Sequence, residues 1–246
     1  MGTYTAVIND CLYLNFAVKP SEIERLLPPG VELDLRHYRG RKWGFFSVLL
    51  YSCDRLALAG MGWPRFSFFG AETRIYIIDD SQTPSAYLIR EYLPWLYSNL
   101  VKFYCKMPTC KMNFDYPRSV HPGGVYSWNI EGSGAGAVKV KINESKASMG
   151  QLADYFSSQE AARDFFTRRP NYYYAATRDN VRNLKISASY GKKLEIDIQQ
   201  WELGFTASDL ERHRFPEAVS GCFYAPEIRQ EISGPHKESL SCLTGA

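Results

Sequence analysis

The chain has 246 residues, 45% hydrophobic and 22% charged, an ordinary globular balance for which one large domain suffices. Its 29 basic and 26 acidic residues leave a net charge of +3, and the basic residues are scattered, which argues against a nucleic-acid or anionic-membrane surface. No apolar run approaches the ~20 residues of a membrane-spanning helix.

The aromatic share is 15%, with 17 Tyr and 14 Phe, and such side chains fit the pleated, half-buried surface of a sheet. Six cysteines form no CxxC pair, and no histidine completes a zinc-like spacing. The N-terminus lacks a basic stretch followed by a long apolar run. A cytoplasmic protein with free thiols, no metal and no cofactor is therefore expected.

In chain order, CLYLNFAVK reads as a strand. PSEIERLLPPG reads as a short helix capped by Ser21 with Glu24 in a capping box. VELDLRHY alternates as one half-buried strand, RGRK is a turn, and WGFFSVLLYSC is a more buried strand. FSFFGAETRIYIID and AYLIREYL follow as strands. LPWLYSNLVKFY carries apolar groups at helical spacing (Leu93, Leu96, Tyr97, Leu100, Val101, Tyr104) and starts at Pro94. KMNFDYP, GGVYSWNIE and AGAVKVKINE are strands, the last two joined by a Gly-rich hairpin turn. SSQEAARDFFTRRP is a helix with Ser157 as cap, Phe165 and Phe166 buried and Pro170 as stop; NYYYAAT, LKISASY and KLEIDIQQWEL are strands. Residues 233–246 contain few large apolar groups and read as a disordered tail, leaving a single domain over 1–232. About ten strands with three short helices point to a mainly β fold, a curved antiparallel sheet or barrel enclosing a pocket.

The candidate chemistry lies mainly on two strands. In ETRIY, Glu72, Arg74 and Tyr76 share one face. Turned inward, they converge a carboxylate, a guanidinium able to grip a carboxylate, and a phenol; turned outward, they form a surface ion-pair ladder. In LIREYL, Arg90 and Glu91 fall on opposite faces, and whichever points inward needs a partner. Tyr172 and Tyr174, in NYYY, are candidate hydrogen-bond donors to a carbonyl. FYCKMPTCKMNF holds Lys106 and Lys111 on either side of Pro108.

The series YLNFAVKPSEIERLLPPGVELD, a W-G-x-F strand, ETRIYI, KMP and ARDFFTRRPNYYY resembles the acetoacetate decarboxylase-like superfamily, and most of all its YqjF-type branch, over about residues 10–230. The resemblance implies an antiparallel sheet closed into a cone-shaped barrel around a central cavity, with peripheral helices, in chains that are often oligomeric. In the decarboxylases a Pro-Lys-Lys run supplies an imine-forming lysine kept neutral by its cationic neighbour. Here that run is Pro108-Thr109-Cys110, and Lys111 arrives one residue late. A slip of one residue on a strand reverses the face, but on a regular strand Lys111 shares the face of Thr109 and can point inward one pair further along. Only Glu91 matches the decarboxylases' further acidic segment. The resemblance therefore implies a lyase-type enzyme on a small oxo-acid or polyketide-like carbonyl compound. Glu72, Glu91 and Lys111 are its candidate catalytic groups, and Arg74, Tyr76, Arg90, Tyr172 and Tyr174 its candidate binding groups. The alternative is a binding protein that uses the same cavity without turnover.

Overall fold

The computed structural model describes residues 2–61, 64–115, 125–132, 135–143, 154–177, 180–190, 194–195, 197–203 and 221–237. Within them the architecture is mainly β. The strands are β1 (Thr3–Val18), β2 (Glu32–Leu33), β3 (Arg36–Tyr38), β4 (Arg41–Leu58), β5 (Phe66–Ile78), β6 (Pro84–Leu93), β7 (Thr109–Lys111), β8 (Asn113–Asp115), β9 (Val125–Gly132), β10 (Ala135–Asn143), β11 (Asn171–Thr177), β12 (Asn180–Tyr190), β13 (Leu194–Glu195), β14 (Asp197–Leu203) and β15 (Gly221–Lys237). The helices are α1 (Pro20–Ile23), α2 (Trp95–Cys105) and α3 (Gln159–Thr167).

Seven strands close on themselves in the order β5-β4-β1-β15-β12-β11-β6 and back to β5. The ring differs from the expected antiparallel sheet at one joint. β11 meets β6 in parallel through Tyr172 opposite Ala86 and Tyr173 opposite Tyr87, and β7 adds to β6 in parallel outside the ring. A second antiparallel sheet has the order β14-β10-β9-β8. β9 and β10 pair antiparallel with Ala135 opposite Gly132; residues 133–134 of the expected Gly-rich turn lie outside the described residues.

Because side chains alternate along a strand, the ring has two apolar faces. Leu12, Leu14, Phe16, Val48, Leu50 and Ile75 form the outer cluster, into which Ile23, Leu27 and Leu33 pack. Tyr13, Phe45, Leu49 and Tyr76 form the inner cluster, plugged by Phe165 and Phe166 of α3. Both phenylalanines are buried, as their spacing predicts.

Several local expectations are revised. The first helix starts from Lys19, with Pro20 as its first residue and Glu22 accepting from the Lys19 N–H at 3.2 Å, so Ser21 lies inside the turn. Ser158, not Ser157, caps α3 by accepting from the Ala161 N–H at 3.0 Å. VELDLRHY breaks into β2 and β3 because Asp34, between them, turns into the interior to meet Arg169. The longest omission is β15. It occupies the centre of the ring between β1 and β12, and it continues to Lys237, with His236 opposite Asn183, past the expected boundary at 232. Residues 238–246 lie outside the described residues.

Candidate functional site in the strand ring

The ring encloses a cavity of about 650 Å³ to which all seven strands and α2 contribute. Three irregularities decide which side chains reach it. On β1, Asp10 adopts φ 52° and is skipped by both neighbouring strands. The inward set therefore changes from Tyr4, Ala6 and Ile8 to Cys11 and Tyr13. On β4, Arg55 at φ 55° does the same between Cys53 and Leu56. On β6, Thr73 of β5 faces Arg90 while the next residue, Arg74, faces Leu88, so Ile89 is the extra residue of a bulge. Leu88 and Glu91 thereby both face the cavity, and Arg90 does not. Strict alternation from Leu88 would have put Arg90 inside.

The floor is polar and centred on Arg74, which is 1% exposed. Its Nη1 donates to Glu72 Oε1 at 3.2 Å and to the Tyr172 hydroxyl; its Nε donates to the Tyr76 hydroxyl at 3.1 Å; its Nη2 donates to the Phe166 carbonyl at 2.7 Å. The guanidinium carbon also lies 5.2 Å from the Tyr13 ring and 5.4 Å from the Tyr172 ring, within cation–π range.

Glu72 and Glu91 stand directly opposite each other on β5 and β6. Burial drives the Glu91 carboxyl well above the usual carboxylate range; the Glu72 charge adds to this, and a hydrogen bond from Tyr51 partly opposes it. Glu72 is also raised by burial, but Arg74 opposes that with its charge and a hydrogen bond. Arg74 thus favours the charge on Glu72, and burial favours the proton on Glu91. Tyr51 donates to Glu91 Oε1. It can lie across β5 because its neighbour there is Gly70, where a Cβ would come within 2.6 Å of the phenol.

The hydroxyls around the floor are not equivalent. Tyr76 accepts from Arg74 and stands 2.7 Å from Ser47 Oγ, which donates to Asn15 Oδ1 at 2.5 Å; its own proton is therefore given to Ser47. Tyr190 donates to the Thr167 carbonyl at 2.9 Å, so the proton between it and Tyr13 comes from Tyr13. Tyr174 donates to the Cys105 carbonyl at 2.8 Å. Tyr172 accepts from Arg74, and among the described residues its own proton has no acceptor. Its hydroxyl is polarised by a guanidinium and faces the cavity.

The structure separates the remaining candidates. Tyr76 is fully buried behind Arg74 and does not line the cavity. Arg90 lies on the outer side, its Nη1 3.5 Å from Cys110 Sγ. Lys111 is exposed, its ammonium 5.7 Å from the Trp95 ring centre. Lys106 is also exposed; it takes the left-handed position that ends α2 and leans over Phe103. Among the described residues no lysine lines the cavity, so the expected imine role of Lys111 has no geometric basis. Thr109, where the decarboxylase pattern places the lysine, donates to the Ser98 carbonyl at 3.2 Å and so ties β7 to α2. Sequence reading missed Tyr13 and Tyr51, which looked like ordinary core aromatics on strands that also carry Phe16 and Phe45. Among the described residues no group of three or more side chains could hold a metal, and no helix is long and apolar enough to cross a membrane.

Residues 5–228 match DUF2071, described as an uncharacterized conserved protein (COG2071). The chain belongs to this family. No curated protein matches it. Among solved structures it is similar to an acetoacetate decarboxylase-like enzyme from Sphingomonas wittichii RW1, with TM-score 0.63 and 12% identity over 97% of this chain and 94% of that one. It is also similar to the enduracididine biosynthesis enzyme MppR complexed with pyruvate, with TM-score 0.61 and 12% identity over 98% and 91% of the two chains. A third likeness is to acetoacetate decarboxylase from Legionella pneumophila, with TM-score 0.62 and 9% identity over 96% and 87%. At these identities the likeness establishes an acetoacetate decarboxylase-like fold.

Proposed function

We propose that this protein is a lyase-type enzyme acting on an oxo-acid or polyketide-like carbonyl compound by acid–base chemistry at Glu72 and Glu91, without an imine. The observation that carries the reading is the carboxyl pair at the cavity floor. One member is bonded to Arg74, which favours its charge, and its cross-strand neighbour is buried, which favours its proton, the division of roles that general acid–base catalysis needs. The likeness to MppR, whose structure contains pyruvate, supports a carbonyl ligand in this cavity.

In this reading the substrate carbonyl oxygen accepts a hydrogen bond from Tyr172, whose proton has no other acceptor among the described residues. Glu72 removes a proton from the carbon next to that carbonyl, and the electrons move into the carbonyl as an enolate. In a β-hydroxy ketone the enolate re-forms the carbonyl as the β C–O bond breaks, and the oxygen leaves as water with the proton of Glu91. Glu72 then returns its proton to Glu91 across the strand pair. The balance is one C–H and one C–O bond broken, one C=C bond formed and one water released. A lysine is not required, consistent with the exposed positions of Lys106 and Lys111.

The test is solvent-deuterium exchange at the carbon beside the ketone, followed by NMR across a panel of oxo-acids and β-hydroxy ketones. Exchange is expected, and Glu72→Gln is expected to slow it by roughly 10²-fold or more, whereas Glu91→Gln is expected to slow water loss from a β-hydroxy ketone. A borohydride-trapped lysine adduct would overturn the lysine-free chemistry. Binding without exchange or turnover would instead establish the second reading, a small-molecule binding protein, which the lysine-free cavity also favours.

A further inference from the structure

Depth in the cavity can be read from exposure. Arg74, Tyr13, Glu91 and Tyr172 are all buried and mark the floor. Tyr4, Met61, Phe66, Leu100 and Tyr104 line the same cavity yet are 37–67% exposed, so they mark its mouth. Between them the walls are aliphatic and aromatic, including Leu184, Ile186 and Ile232; Gln230 is the one amide among the described lining residues. Among the described lining residues, Glu72, Arg74 and Glu91 are the only Asp, Glu, Lys or Arg, and all three belong to the floor.

Helix α2 adds an independent observation. Its apolar stripe would ordinarily signal a face buried against protein. Instead Tyr97, Leu100, Val101 and Tyr104 border the cavity, and Ser98 is the helix's one buried residue. Tyr97 packs on Phe68, with ring centroids 4.5 Å apart, while Leu100, Val101 and Tyr104 border the cavity.

The volume decides what can fill that space. At ~30 Å³ per water-sized group, 650 Å³ holds about twenty such groups. An oxo-acid head the size of pyruvate occupies about six of them, on the same ~30 Å³ measure, and would leave the apolar walls wet. A wall of this kind gains free energy only against an apolar ligand.

We infer that the substrate is amphipathic: a carbonyl-bearing polar head at the Arg74–Glu91–Tyr172 floor, continued by an apolar chain or ring system of up to about fourteen carbons that runs past Ile186 and Ile232 to the mouth beside α2. This rests on the proposed function for the role of the floor, but its own support is the cavity wall. A free nucleotide or coenzyme handle is not the body of the ligand, because no cation lines the path among the described residues.

The probes are pyruvate, 2-oxohexanoate and 2-oxodecanoate, titrated calorimetrically into the full chain, with deuterium exchange recorded on each. Affinity is expected to rise about three- to fourfold per methylene, making 2-oxodecanoate about 10³-fold or more tighter than pyruvate. Ile186→Trp fills the wall midway and is expected to weaken 2-oxodecanoate by about tenfold or more while leaving pyruvate within about twofold. Ile232→Trp, opposite it on β15, serves as a second filling variant should the first be unfolded by circular dichroism. Equal affinity across the three acids, or a chain-length preference that neither tryptophan alters, overturns the inference. If exchange persists in that case, the catalytic reading stands alone. If 2-oxodecanoate binds tightly with no exchange, the amphipathic ligand stands and catalysis falls. If no acid binds, both fall.

Discussion

Glu91 is 6% exposed and accepts a hydrogen bond from Tyr51. Its folded pKa is raised, chiefly by burial and then by the Glu72 charge. The sign of its effect on stability follows. The neutral form suits the interior, so its contribution is fully present below the ordinary carboxylate range. It is lost as pH rises from there through the folded pKa, at about 1.4 kcal/mol per pH unit for one proton. Glu91→Gln keeps an acceptor for Tyr51 and cannot ionise. Urea unfolding measured from pH 4 to 9 should therefore show a flatter profile in the variant, with the larger gain over wild type on the alkaline side. Parallel profiles would mean that Glu91 is already ionised in the folded protein. Arg74 is a poorer target for such a test. It satisfies Glu72, Tyr76, Tyr172 and the Phe166 carbonyl together, so Arg74→Ala would orphan a buried carboxylate and a carbonyl besides removing a ligand contact.

At the scale of elements, α3 is held by a second buried cation. Arg169, 3% exposed, donates to Asp34 Oδ2 at 2.7 Å and to the Phe165 carbonyl at 2.6 Å, with its guanidinium carbon 4.2 Å from the Phe165 ring. Asp34→Asn removes the counter-charge and strands the guanidinium. The expected cost is about 3–5 kcal/mol, read as a lower urea midpoint at unchanged slope; a loss of under about 1 kcal/mol would place the pair with exposed ones. This pair also marks the limit of what the sequence disclosed. The period-two pattern of ETRIY put Glu72, Arg74 and Tyr76 on one face but left open whether that face pointed in or out, and most strands were legible from alternation. Asp34 looked like an ordinary polar position of an alternating strand, because the partner that breaks that strand lies 135 residues away. The choice between Arg90 and Glu91 depended on the Ile89 bulge, a property of pairing with β5 that β6 does not encode alone. β15 was hidden because GCFYAPEIRQEISGPHK carries glycine and proline at both ends, the usual signs of loop and tail. The stripe of α2 was legible, but what it faced was not, since an empty cavity and a packed core demand the same apolar residues.

At the scale of the molecule, ring closure and ligand binding are connected through one seam. Six of the seven joints are antiparallel, and the β1–β4 and β1–β15 ladders run almost the length of their strands. The seventh, β11–β6, is parallel and joined by two residue pairs. Tyr172 stands on the β11 side of this seam and Glu91 on the β6 strand. A carbonyl head bonded to both would bridge the shortest joint of the ring, while an apolar body would press β12 and β15 against α2. A ligand at 100 times its dissociation constant stabilises the folded state by about 2.7 kcal/mol. For a domain of this size that corresponds to a rise in Tm of roughly 5–10 °C. Pyruvate and 2-oxodecanoate, each supplied at that multiple, should produce similar Tm shifts but different patterns of amide protection. Pyruvate should slow exchange along β6 and β11 alone, and 2-oxodecanoate should extend protection to α2, β12 and β15. Protection confined to α2 with both acids would detach ligand binding from the seam, because a head that fails to join Tyr172 to Glu91 has no reason to steady the strands that carry them.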